Sequence, residues 1–157
     1  MPRYWLMKSE PAEASIDDLA AAPARTLPWT GVRNYQARNF MRDEMQVGDG
    51  VLFYHSSCAE PGVAGLARIS GPALPDTTQF DPASGYFDPK ATPAKPRWVQ
   101  VDVTLERKTR LLPLREMRGE HARQVMESGL RRRVGEVLEH RQVHAIDRAD
   151  VDHARGV

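Results

Sequence analysis

The chain has 157 residues, of which 41% are apolar and 27% are charged, and its 22 lysines and arginines nearly balance its 21 aspartates and glutamates. This length suits one domain, and a formal charge of +1 excludes a uniformly basic coat for nucleic acid, although it permits a local basic patch. The single cysteine excludes an internal disulfide and a cysteine-rich zinc site. It favours a reducing compartment, so we expect a cytoplasmic protein.

The first half of the chain predicts two strands and two short helices. Residues 4–7 read as a first strand, and Ser15 with Asp18 forms a capping-box start for a brief helix that ends near Pro23. Asn34 is a candidate N-cap for a second helix that Gly48 closes. Residues 51–55 form an apolar strand, and such runs are far shorter than the roughly 20 residues of a membrane-spanning helix.

The second half predicts further strands and a long loop. Residues 63–69 and 98–105 read as strands, the latter because Val99, Val101, Val103 and Leu105 alternate with polar or aromatic residues. Prolines and glycines make residues 72–96 a loop, and amphipathic helices are predicted after Pro113. The sum is an α+β domain with a mixed sheet and helices at its edges.

Motifs of the common enzyme classes are absent from the sequence. It has no G-x-S-x-G, no phosphate-binding glycine loop and no H-E-x-x-H. His140 and His144, four positions apart, fit a solvated helix face better than a metal site, so we predict no metal, cofactor or catalytic residue. The alternative from the enzyme class is a small hydrolase that uses His55 and Cys58.

Residues 29–39 concentrate planar and hydrogen-bonding side chains. The segment WTGVRNYQARN has two aromatic residues, two arginines, two asparagines and one glutamine, a mixture suited to a planar ligand such as a base. The competing interpretation makes Trp29 and Tyr35 core anchors and Asn34 a simple helix cap. Composition alone leaves both interpretations open.

Four blocks in order, YWLMKSEP, WTGVRNYQARN, FYHSS and FDPK, resemble the EVE domain family of the PUA-like superfamily across roughly residues 3–118. The resemblance implies a single domain over residues 1–157 with a curled, partly closed mixed β-barrel and small flanking helices. It also implies a non-catalytic module for nucleic acid, with a pocket for a flipped, modified base and modified cytosine in DNA favoured. No membrane and no obligate protein partner are implied.

The same resemblance implies the site residues. Trp29 is expected to stack on the base, so that Trp29→Ala removes base-dependent binding and leaves the fold intact. Arg38, Asp88 and Lys90 are expected at the rim, with the two basic residues touching the nucleic-acid backbone. The residues expected to bind the base are Lys8, Ser9, Glu10, Trp29, Arg33, Asn34, His55, Ser56 and Ser57.

Residues 119–157 depart from the family pattern. The segment from Gly129 to Val137 stands where the family usually has its final strand, so the sequence does not establish how the barrel is closed. The arginines at 131–133 fit a solvated helix face better than a phosphate contact. Two further alternatives for the function are RNA binding and a sensor of a free nucleoside or similar small molecule. Steep salt dependence would distinguish a nucleic-acid module from such a sensor.

Overall fold

The computed structural model describes residues 2–118 and 145–147. The predictions for the arginine triplet at 131–133, for His140 and His144, and for the helix expected near residues 130–138 lie outside the described residues. In the described part, no helix is long and apolar enough to cross a membrane.

Seven strands, six of them short, and three short α-helices make up most of this part of the chain. The strands are β1 (Tyr4–Ser9), β2 (Thr26–Trp29), β3 (Gly50–His55), β4 (Gly62–Ile69), β5 (Leu74–Pro75), β6 (Val99–Pro113) and β7 (Ala145–Asp147). The helices are α1 (Ile16–Ala21), α2 (Tyr35–Asn39) and α3 (Leu114–Arg118). A π-helical turn (Phe40–Glu44) continues α2, and 3₁₀ turns occupy Pro23–Arg25 and Thr77–Phe80.

The strands form one mixed sheet in the order β2-β6-β4-β3-β1-β7, and β5 pairs with β6 beside this path. β1 runs parallel to β3 and β7, whereas the other pairs are antiparallel. Register shifts interrupt the β3–β4 and β4–β6 ladders, and such bulges bend a sheet. In the described residues β2 and β7 are the outer strands, so this sheet is not closed. The α+β prediction is confirmed.

Local signals account for most of the predicted elements. The Ser15–Asp18 capping box is present at α1, and the Asn34 carboxamide oxygen accepts the Ala37 N–H at the start of α2. The second helical segment ends at Glu44 rather than at Gly48, because Met45 is already extended. Gly48 lies in the following turn with φ of 98°.

Three features differ from the sequence expectations. β6 extends to Pro113, well beyond the alternating stretch that ends at Leu105. The loop predicted over residues 72–96 includes β5 and the Thr77–Phe80 turn. The strand β2 contains Pro28, which has no N–H to donate and is tolerated because β2 lies at the edge of the sheet.

The two faces of β3 are both covered, which explains its continuous apolar sequence. Val51 and Phe53 face the main core, and Leu52 and Tyr54 face a smaller cluster on the other side of the sheet. The main core also takes buried side chains from α1, α2 and four other strands, among them Trp5, Met7, Leu19, Trp29, Met41, Ile69 and Val103. The sheet therefore forms a rigid support for the segments that follow its strands.

Candidate nucleic-acid interface

The carboxyl ends of β1 and β3 lie side by side. Parallel pairing places Ser9 opposite His55, and the Ser56 backbone N–H donates to the Ser9 carbonyl at 3.0 Å. Because parallel strands end at the same edge of a sheet, this register brings the first predicted group, Lys8, Ser9 and Glu10, beside the second, His55, Ser56 and Ser57. We call these six residues the strand-end cluster.

His55 is engaged by the start of α1. Its Nε2 accepts the Ile16 backbone N–H at 3.0 Å, so the neutral ring carries its proton on Nδ1. Burial lowers the pKa of His55, while the carboxylate of Asp17 acts weakly in the opposite direction. Cys58 is half-buried and is a free thiol. In the hydrolase alternative His55 would act as a base, but its Nε2 is already an acceptor within the fold.

The loop after β3 has two unusual polar residues. Ser57 adopts φ of 50°, a left-handed conformation that costs a non-glycine residue energy. The Ser56 hydroxyl is buried and has no hydrogen-bond partner among the described residues. On the other side of the cluster, the Glu10 carbonyl accepts the N–H groups of Glu13 and Ala14, which shapes the turn after β1. Because buried polar groups are normally hydrogen-bonded, an unpartnered hydroxyl at the strand ends is a candidate contact for a ligand.

Trp29 lies in the core instead of lining an open surface. It is 1% exposed, and its ring packs edge-on against Phe53 at 5.4 Å between centroids. Phe53 in turn packs edge-on against His55 at 5.8 Å, so Trp29 supports the strand-end cluster from below. The expectation that Trp29→Ala leaves the fold intact is inconsistent with this burial, because deleting a buried indole costs about 3–5 kcal/mol.

Arg33 and Asn34 both serve the local fold. Arg33 donates to the Val32 and Tyr86 carbonyls, to the Thr78 hydroxyl and, at 3.0 Å, to the Asp76 carboxylate. With Arg33 6% exposed and Asp76 fully buried, this is an interior ion pair, and Arg33 directs its donors into the protein. Asn34 is exposed and caps α2 through its side-chain oxygen, as the helix-cap interpretation predicted.

A cleft of about 440 Å³ opens beside Arg33. It contains two of the three residues predicted for the rim, Asp88 and Lys90, whereas Arg38 lies just behind its wall. The lining residues are Arg33, Tyr35, residues 85–90, Arg97 and Trp98. The structure thus separates the predicted site residues into the strand-end cluster, this cleft, and the buried Trp29.

The wall of the cleft is a stack of rings and guanidinium groups. Tyr35 stacks on Trp98 at 4.9 Å with an interplanar angle of 27°. Arg33 lies 5.4 Å from the rings of both Trp98 and Tyr86, and Arg38 lies 4.8 Å from Tyr35. Cation–π contacts of this kind favour one arrangement of side chains. The stack therefore holds the aromatic wall in place before any ligand arrives.

Asp88 organises the floor of the cleft. Its carboxylate accepts the Trp98 indole N–H at 2.7 Å and a guanidinium N–H of Arg97 at 3.0 Å. Burial alone would raise the pKa of Asp88, but these donors, the Lys90 backbone N–H and the charge of Arg33 bring it below its ordinary value. Asp88 is therefore an anion at neutral pH that positions Arg97 and Trp98.

Sequence reasoning missed several of the residues that shape this region. Tyr86 packs against Gly31 and donates its hydroxyl to Glu13 at 2.6 Å, which links the cleft to the turn after β1. Asp76, Arg97 and Trp98 were missed because their partners are distant in sequence. Within residues 2–118 and 145–147, no three histidine, cysteine or acidic side chains converge as metal ligands do.

These features define a small mixed-sheet domain with polar strand ends and an aromatic, arginine-rich cleft. The chain belongs to the EVE domain family, whose pattern it matches over residues 3–147. The resemblance found in the sequence is thereby confirmed.

Two curated relatives show the extent of the match. Thymocyte nuclear protein 1 of human is 46% identical over 128 residues, covering 75% of this chain and 56% of that protein. Its counterpart from Danio rerio is 47% identical over 140 residues, covering 82% and 60% respectively. The chain thus spans a little over half the length of these relatives.

Solved structures agree with the fold. A hypothetical protein from Leishmania major is 50% identical, with a TM-score of 0.73 and coverage of 85% of this chain and 84% of that one. Human THYN1 in complex with DNA containing 5-methylcytosine is 41% identical, with a TM-score of 0.71 and coverage of 88% and 86%.

Proposed function

We propose that this chain is a non-catalytic nucleic-acid-binding module that holds a modified base turned out of its strand, with modified cytosine in DNA as the favoured ligand. The observation that carries the proposal is the likeness over most of the chain to human THYN1, whose structure contains 5-methylcytosine DNA. An identity of 41% over nearly the whole domain is high enough to transfer a binding mode as a hypothesis.

The strand-end cluster supports this proposal by its chemistry. A base presents ring nitrogens, carbonyl oxygens and an exocyclic amine, and a protein reads these edges through hydrogen bonds. The cluster offers the buried Ser56 hydroxyl and the Glu10 carboxylate just beyond a preformed parallel ladder. Trp29 contributes to this site by supporting His55 through Phe53.

The energetics predict modest selectivity. Turning a base out of a duplex costs a few kcal/mol, which the hydrogen bonds at the strand-end cluster have to offset. The additional methyl group of 5-methylcytosine discriminates by only about 1–3 kcal/mol in an apolar environment. Since the formal charge is +1, a broad electrostatic attraction does not add to this affinity. Binding of the unmodified strand should therefore be weak.

Ser56→Ala tests the strand-end cluster. The substitution removes the unpartnered hydroxyl, and we expect a two- to tenfold loss of affinity for an oligonucleotide with 5-methylcytosine, corresponding to about 0.5–1.5 kcal/mol for one hydrogen bond. Fluorescence anisotropy with methylated and unmethylated strands at two salt concentrations measures this loss.

Ser70→Ala is the matched control, because its hydroxyl is also buried without a partner among the described residues. Ser70 follows β4, whose antiparallel pairing places it at the opposite end of the sheet from Ser56. Equal affinities of the two variants would contradict the assignment of the base to the strand-end cluster. Equal affinity of the wild type for methylated and unmethylated strands would contradict the modified-base function itself.

RNA as the nucleic acid, a free nucleoside as the ligand and a cytoplasmic location stay predictions from the sequence. The same anisotropy series with RNA strands, and competition by free 5-methyldeoxycytidine, tests the first two.

A further inference from the structure

The cleft beside Arg33 is distinct from the strand-end cluster and contains the aromatic rings most available to a ligand. Tyr35 is 50% exposed and Phe87 is 39% exposed, although both are large apolar rings that a fold normally covers. Both line the cleft of about 440 Å³, a volume in the range of small-ligand sites. An exposed ring beside a preformed wall is a stacking surface for a planar group.

The charges around the cleft indicate an anionic ligand. Asp88 pairs with Arg97, and Asp76 pairs with Arg33, so both carboxylates are already engaged by the fold. Lys90 and Arg38 form no ion pair with a carboxylate among the described residues.

Arg38 is close to the cleft. It stacks on Tyr35 and donates to the Arg97 carbonyl at 3.1 Å, so it lies directly behind the wall. Burial lowers the pKa of Arg38, and the charges of Arg42 and Arg97 act in the same direction, while Tyr35 and Asp43 act in the opposite direction. Arg38 is thus a cation without a carboxylate partner among the described residues, placed where it could meet a phosphate group.

We infer that the cleft binds a second nucleotide, the neighbour of the one whose base is read, with its base against Phe87 and Tyr35 and its phosphate near Lys90 and Arg38. This inference rests on the proposed function, since a neighbour exists only where a strand is bound. The link between the two sites is Tyr86, which lines the cleft and donates to Glu13 in the turn after β1. The protein would thus recognise a step of two unstacked nucleotides rather than one isolated base.

Trp98 provides a direct reporter for this cleft. The chain has three tryptophans, and their indole N–H groups report on different regions. The Trp98 indole donates to Asp88 in the cleft, the Trp5 indole donates to Asp49 at 2.9 Å, and Trp29 is in the core. We expect deoxyadenosine 5′-monophosphate to shift the Trp98 indole resonance of ¹⁵N-labelled protein and to leave the Trp5 resonance in place.

Two variants test the contacts of the base and of the phosphate separately. Phe87→Ala should weaken the Trp98 response about fivefold or more by removing the stacking ring, and Lys90→Gln should weaken it only for the phosphate-bearing ligand and not for deoxyadenosine. Val47→Ala, which removes a 61% exposed apolar side chain outside the cleft, is the matched control and should change nothing. A Trp98 resonance that does not move, or moves equally in Phe87→Ala, overturns the inference.

Oligonucleotides then test whether the bound nucleotide is a neighbour in the strand. An abasic position on one side of 5-methylcytosine should weaken binding to the wild type by about the same factor as Phe87→Ala does, and the two losses should not multiply when combined. No loss from an abasic position on either side overturns the inference while leaving the modified-base function intact. If an abasic position weakens binding but methylated and unmethylated strands bind equally, the modified-base function is contradicted and the cleft is still supported as a nucleotide site.

Discussion

The buried pair of Arg33 and Asp76 allows a sharp test of how the cleft is built. The Asp76 carboxylate accepts the Gly31 N–H at 2.8 Å, an Arg33 guanidinium N–H at 3.0 Å, and the N–H and hydroxyl of Thr78 at 2.9 and 2.6 Å. One side chain therefore joins the loop before α2 to the segment that leads into the cleft. Removing the Asp76 carboxylate should therefore disturb both the loop before α2 and the segment that leads into the cleft.

Asp76→Ala should be strongly destabilising because it leaves the Arg33 charge buried without a counter-charge. Breaking an interior pair in this way costs about 3–5 kcal/mol, a large part of the roughly 5–15 kcal/mol that stabilises a typical domain. With a urea dependence of about 2 kcal/mol per molar, a loss of this size lowers the unfolding midpoint by about 2 M. Urea unfolding followed by tryptophan fluorescence measures the change.

A double variant separates the charge from the lost hydrogen bonds. Arg33→Met combined with Asp76→Ala removes both charges, so it should recover part of the lost stability while the Gly31 and Thr78 donors stay unpaired. A single variant that loses less than about 1 kcal/mol would refute the reasoning. So would a double variant that is no more stable than Asp76→Ala alone.

Two further predictions concern His55 and Trp29. Because the pKa of His55 is lowered in the folded protein, the unfolded chain binds more protons below about pH 6.5. Because burial disfavours the charged ring, the neutral ring that accepts the Ile16 N–H stabilises the fold above that pH, and this contribution should be lost as the pH falls through the lowered pKa. The urea midpoint should fall less between pH 7.5 and pH 5 in His55→Gln than in the wild type, and parallel pH profiles would contradict this account. Trp29→Ala should cost about 3–5 kcal/mol of unfolding free energy, whereas Trp29→Phe should cost less and retain the edge-on packing against Phe53. Thermal unfolding checks both variants, and a Trp29→Ala protein as stable as the wild type would show that the core closes over the missing ring.

The parts of the fold that could be predicted are those set by neighbours in the sequence. The capping box of α1 depends on Ser15 and Asp18, three positions apart, and the Asn34 cap likewise depends on adjacent residues. The strands β3 and β4 were predicted because apolar runs between glycines are local signals. The Pro28 strand was missed because a proline argues against a strand unless the strand is known to be at an edge.

The parts of the site that could not be predicted depend on distant partners. Arg33 and Asp76 are 43 positions apart, and Tyr86 and Glu13 are 73 positions apart. An arginine in a polar segment has the same sequence signal whether it points to a ligand or to a buried carboxylate. The burial of Trp29 likewise could not be predicted, because it depends on strands that follow later in the chain.

The long strand β6 has a consequence for how the chain folds. It pairs with β2, β4 and β5, and the Thr26–Thr104 hydroxyl contact across the β2–β6 pair joins positions 78 residues apart. Loops of this size close slowly, so pairing with β6 should limit the folding rate. During synthesis, β2 and one edge of β4 stay unpaired until residues 99–113 have been made, and the pairing of this single strand then completes the main core.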